Sequence, residues 1–218
     1  MDYDQLGPKL TEAAFQTLGL VSTSLLFGGI FGLLLGIALY VTRRDGLYQN
    51  TIVHTVLNLI VNFFRPIPFI IFLAAVQPLA RIVVGKGIGD PAMIFAISLA
   101  ATFGISRIVE QNLLTVTPGV IEAARAAGAG RFRALWSVIL PEALGPLILG
   151  YTFIFVALVD MSAVAGYVGG GGLGQFAIQW GYRQFDPIVT WSAVLVIIVL
   201  VQIVQFLGNW LARRVMRR

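Results

Sequence analysis

The chain of 218 residues has no cysteine and a single histidine, His54. Without cysteine there is no disulfide, thiolate nucleophile, iron–sulfur cluster or thiolate-bound zinc. One histidine excludes a multi-histidine metal or haem site. Charge is scarce as well: Asp, Glu, Lys and Arg make up 11 % of the chain against 58 % hydrophobic residues. A soluble domain carries about a quarter charged residues and under half apolar ones, so a free cytosolic protein is excluded. In place of charge the chain has long apolar runs, 30 residues between Glu12 and Arg43 and 26 between Asp186 and Arg213. Roughly 20 apolar residues of helix span a bilayer. An all-α, polytopic membrane protein is therefore predicted. Its net charge of +5 is the Arg and Lys excess that orients such proteins, and no nucleic acid partner is expected.

Five spans are predicted, at about residues 13–42, 51–80, 91–114, 143–168 and 188–212. The first follows Asp2, Asp4 and Glu12 with only Lys9 for balance, unlike a cleaved signal with its basic start, and is expected to be retained. The second is interrupted by Arg65-Pro66-Ile67-Pro68. Neither half is long enough alone, so one kinked helix is expected. Residues 117–140 carry Glu122, Arg125, Arg131 and Arg133 and are placed outside the lipid. On the side of the C-terminus fall nine arginines: Arg43, Arg44, Arg125, Arg131, Arg133, Arg213, Arg214, Arg217 and Arg218. The other side has Lys9, Arg81, Lys86 and Arg183. Positive-inside bias thus puts the N-terminus outside, and the C-terminus and the 117–140 loop in the cytoplasm.

Within that loop, Thr117-Pro118 has the form of an N-cap followed by a first-turn proline. An alanine-rich helix should follow, ended by Gly128 as a left-handed cap. Taken alone, this describes a helix displayed to a partner protein or an amphipathic helix resting on the membrane. Glu122-Ala123-Ala124, then Gly128 four residues on, then Val138-Ile139-Leu140-Pro141, resembles the EAA loop of ABC importer permeases, with Val138 for isoleucine the one departure.

The resemblance extends over almost the whole chain and is closest to the methionine importer permeases. It includes Asn62 to Ile71, Arg107, Glu110, Pro118, Gly119, Ile121 and Gly169 to Gln175; Asp160-Met161 stands where that family often has Gly-Tyr. It implies a type I importer permease, with a transmembrane domain over 11–212 and an EAA coupling loop over 117–141. Glu122, Ala123, Ala124, Arg125, Gly128, Arg131 and Pro141 are the implied contacts to an ATPase. It further implies two copies of the chain in a bacterial inner membrane, and two ATPase subunits that hold the ATP and Mg. A periplasmic or lipid-anchored binding protein would deliver an amino acid, methionine first. The chain itself would need no cofactor and catalyse nothing. The rival readings are a permease for another amino acid or small metabolite, an ATP-independent secondary carrier and, least supported, an intramembrane enzyme.

Gly169, Gly171 and Gly174 match a dinucleotide fingerprint but follow a membrane helix rather than a strand. Gln175 stands where a phosphate-binding loop needs lysine. Gly28, Gly32 and Gly36 form a small-residue face suited to bundle packing or to a dimer contact. His54, Asn58, Asn62 and Arg65 fall on one helical face. Polar groups inside spans are costly, so Asn58, Asn62 and Arg65 are candidates for the translocation path, with an interhelical hydrogen-bond network as the alternative. In the fourth span Asp160 could pair with an arginine, meet a substrate ammonium or reach the outer water. Ser162 lies beside it, and Met161 or Val164 could form an apolar constriction. Arg107 and Glu110, three apart, are expected to pair structurally. The C-terminal arginines face lipid headgroups or simply fix orientation.

Overall fold

A computed structural model of the chain describes residues 3–216; Asp2, Arg217 and Arg218, used above for charge placement, lie outside the described residues. All regular structure among the described residues is helical. Its helices are α1 (Leu6–Thr42), α2 (Thr51–Phe64), α3 (Phe69–Val83), α4 (Asp90–Leu114), α5 (Pro118–Ala126), α6 (Arg131–Ala134), α7 (Leu140–Glu142), α8 (Leu144–Tyr167), α9 (Gly172–Phe176) and α10 (Pro187–Met216). α1, α4, α8 and α10 are each long and apolar enough to cross a membrane, and α2 with α3 forms a further, bent candidate.

α1 and α4 form the closest pair, and the glycine face explains why. A Cβ added at Gly28 would come 2.7 Å from Ala101 Cβ, and one at Gly32 2.6 Å from Ile105 Cβ. At Gly36 it would come 2.6 Å from Ser106 O. The backbones can approach this closely only without side chains. The Gly28–Gly32–Gly36 face is therefore spent inside the subunit, and the dimer-contact reading of it does not hold. Around this pair α3, α8 and α10 complete one core, in which Val21, Leu39, Ile97, Ile105, Val109 and Leu158 are essentially fully buried.

The second span departs from expectation. α2 and α3 meet at 112°, far beyond an ordinary proline kink. Pro66 and Pro68 remove two backbone donors, and residues 65–68 leave the helix altogether. The pair still progresses from one end of the bundle to the other. His54 Nδ1 lies 3.1 Å from Leu39 O near the end of α1, whereas Val84 lines a groove with Pro91 at the start of α4.

The glycine-rich segment is also more ordered than the loop expected for it. α9 folds back into the bundle, its first N–H groups held by α1: Gly172 N donates to Gln16 Oε1 (3.0 Å) and Leu173 N to Thr17 Oγ1 (2.8 Å). Leu173 and Phe176 bury against Ala13, Val189 and Ala193. Gly171 (φ 70°) and Gly172 (φ 77°) adopt left-handed backbone that admits little else, and Gly174 lies directly on the backbone of Ala163. The fingerprint glycines thus build a hairpin whose helix-start donors are already satisfied.

Candidate functional site

Two groups of residues stand out, one on the 117–141 loop and one between α2 and α4. In the loop, Pro118 opens α5 as a first-turn proline, with Thr117 extended at the N-cap position. The Thr117 hydroxyl makes no capping bond; its carbonyl accepts from Val120 N at 3.1 Å instead. The other end follows the sequence expectation. Gly128 has φ 85°, its N–H donates to Arg125 O, and Ala129 N donates to Ala124 O, both at 3.0 Å. These paired bonds form the Schellman motif that satisfies the last carbonyls of a helix.

α5 has two unlike faces. Ile121 and Ala124 are half-buried toward the bundle, while Glu122, Ala123 and Ala126 are exposed. Arg125, one turn after Ile121, lines a small cavity with Ile121, Arg131 and the end of α1. Arg125 and Arg131 thus line this cavity while remaining exposed, whereas Glu122 and Ala123 are exposed and take no part in it. Beyond α6 the helix passes through a π turn, Leu135–Ile139, before Pro141 and α8. α5 packs on that turn, so a displacement of α5 has a direct route into α8. Such turns recur at functional positions in helices.

Between α2 and α4 lies a chain of polar contacts. His54 Nδ1 faces the carbonyl of Leu39 (3.1 Å), and that acceptor requires the proton on Nδ1. His54 Nε2 is then left to accept from Asn58 Nδ2 at 2.6 Å. Asn58 Oδ1 in turn accepts from Arg107, which also donates to Asn62 Oδ1 (2.8 Å) and to Glu110 Oε2 (2.6 Å). The run links His54, Asn58, Asn62, Arg107 and Glu110 without a break. Asn58 and Asn62 are thereby engaged with Arg107, as the network alternative expected. The Arg107–Glu110 pair forms but reaches further than a local pair, tying α2 to α4. Sequence spacing signals contacts within one helix, so it could not show this link across the bundle.

The remaining path candidates diverge. Arg65 is exposed at the break between α2 and α3, and Asp160 is exposed on α8. Ser162 is buried and donates to Val159 O at 2.7 Å, within its own helix. Met161 and Val164 are half-buried, with Met161 against the core.

The chain is similar over most of its length to known proteins. The family described as "Binding-protein-dependent transport system inner membrane component" matches residues 18–217. The chain is 38 % identical to the "Probable D-methionine transport system permease protein MetI" of Vibrio cholerae, over 96 % of this chain and 93 % of the relative. It is 35 % identical to the "Methionine import system permease protein MetP" of Bacillus subtilis, over 83 % and 81 %. Among solved structures, the MetNI methionine ABC transporter in an inward-facing conformation superposes with a TM-score of 0.94 at 38 % identity, covering 99 % of each chain. An amino acid ABC transporter shares the fold alone, with a TM-score of 0.79 at 20 % identity.

Proposed function

The chain belongs to the family of binding-protein-dependent transport system inner membrane components, and we propose that two copies of it form the translocation pathway of an ATP-driven methionine importer. It is a multi-pass membrane permease subunit of an ABC transporter and not an enzyme. ATP hydrolysis belongs to a separate ATPase subunit, which holds the nucleotide and Mg. A binding protein outside, soluble or lipid-anchored, hands over the substrate. The N-terminus faces outward and the C-terminus lies in the cytoplasm of a bacterial inner membrane.

The observation that carries this reading is α5. It is a short helix closed by Gly128, anchored to the bundle through Ile121 and leaving Glu122, Ala123 and Ala126 uncovered. Small side chains let a partner approach the backbone, and the Glu122 carboxylate can accept charge-assisted hydrogen bonds from a basic groove. Movement of the ATPase then reaches α8 through the Leu135–Ile139 turn and opens or closes the path. Arg65 and Asp160 support pairing of two copies. A charge left facing lipid is costly, so these surfaces are better placed toward a second copy or a water-filled path, together with Met161 and Val164. Ser162 and Asn58 shape the helices behind that lining, and Asn62, exposed like Arg65, belongs to it.

Reconstitution with the ATPase and binding protein in vesicles tests the reading. Uptake of radiolabelled methionine that requires ATP and magnesium supports it. Uptake driven by an ion gradient without the ATPase would favour a secondary carrier, and ATP-dependent uptake of another amino acid alone would change the substrate.

A further inference from the structure

At the junction of α1 and the 117–141 loop, a cavity of about 130 Å³ is lined by Tyr40, Arg43, Asp45, Arg125 and Arg131, with Ile121 and Leu47 beside them. Three guanidinium groups and one carboxylate meet there. None of the three arginines forms an ion pair among the described residues, where Arg107–Glu110 is the pair observed. Arg43 Nε is buried and has no hydrogen-bond partner. Two of the arginines are held in place by aromatic rings, Arg43 at 4.5 Å from the centre of Tyr40 and Arg131 at 5.7 Å from that of Tyr48.

We propose that this cavity binds a phosphate-bearing anion, which fastens α5 and the start of α6 to the end of α1. Arginine forks match the paired oxygens of a phosphate, and none of the three side chains is spent on an ion pair among the described residues. The space equals about four waters at ~30 Å³ each, enough for one phosphate group and too small for a nucleoside. The same chemistry is offered by an anionic phospholipid headgroup and by free phosphate. The position favours the lipid: the cavity opens where the apolar run of α1 gives way to Arg43-Arg44, the level at which headgroups stand. Two exposed aromatic side chains that pack on each other, Phe132 and Trp136, follow Arg131 in the chain, and aromatic side chains concentrate at that interface. Binding at this cavity does not depend on which substrate the protein carries, so it can fail while the transport reading stands.

The test is native mass spectrometry of the purified permease in neutral detergent, offered phosphatidylglycerol, phosphatidylcholine or inorganic phosphate. One phosphatidylglycerol per chain, retained in preference to phosphatidylcholine, is expected. Arg43→Gln should weaken retention about fivefold, Arg43→Lys should weaken it less, and Arg44→Gln, outside the cavity, should not change it. Asp45→Asn keeps a residue suited to its left-handed backbone (φ 61°) while removing the cavity's negative charge, and should tighten retention. This variant decides the matter if Arg43→Gln fails to fold. Lipid that inorganic phosphate does not displace assigns the source to the membrane; phosphate adducts that exclude lipid assign it to the free ion. Equal retention by wild type, Arg43→Gln and Asp45→Asn overturns the proposal, as does loss of the ligand once the ATPase is assembled, which would place a group of the ATPase in the cavity.

Discussion

Arg107 and Asn62 are 45 residues apart in sequence and 2.8 Å apart in space. Through this contact, and those of Arg107 with Asn58 and Glu110, the bent α2 is fixed to α4. Arg107→Ala would leave Glu110, whose side chain is 11 % exposed, without its cation. Breaking such a pair costs about 3 kcal/mol or more. The thermal midpoint of the purified permease should fall, and Arg107→Ala combined with Glu110→Gln should recover part of the loss. An unchanged midpoint in the single variant would remove the network from the account of the fold.

The glycine face of α1 makes a second, internally controlled prediction. A side chain at Gly32 meets Ile105 at once, whereas one at Gly19 meets nothing within 4 Å. Gly32→Leu should therefore destabilise the α1–α4 pair by about 1–3 kcal/mol, and Gly19→Leu should be close to neutral. Thermal unfolding of both variants in the same detergent makes the comparison. Equal effects would mean that loss of glycine from α1, rather than the close packing, is what the protein feels.

The proposed orientation rests on the distribution of arginines. A reporter that matures only in the cytoplasm, fused after Arg218, should give signal, and the same reporter before Met1 should give none. The reverse pattern would put α5 outside the cell and remove it from any ATPase.

Much of this was legible in the sequence for physical reasons. Uninterrupted apolar runs fix where helices cross a membrane, and Gly128 had to end α5 because little else tolerates its backbone conformation. What was not legible depends on contacts between distant segments. Proline at 66 and 68 announces a break but not its angle. Gln16 and Thr17 look unremarkable among the first residues of α1 until α9 docks its N–H groups on them. Likewise Arg125 reads as part of the exposed motif and is exposed, but its share in a cavity with Arg43 could not be read from the sequence. Asn58 and Asn62 share a helical face with Arg65, but only the two asparagines reach Arg107.

The central claim is that the uncovered face of α5 transmits ATP-driven movement, and Glu122→Lys tests it most directly. Glu122 is exposed and has no role in the packing of the bundle, so the variant should insert and unfold as the wild type does. Gly128→Val, which forces a β-branched residue into the left-handed cap at a cost of about 1–2 kcal/mol, should distort the same helix, whereas Gly128→Asn should be tolerated. The decisive measurement is ATP-dependent methionine uptake in vesicles, taken together with co-purification of the ATPase. The account predicts that Glu122→Lys loses both while remaining in the membrane. Full association and full uptake in that variant would contradict it.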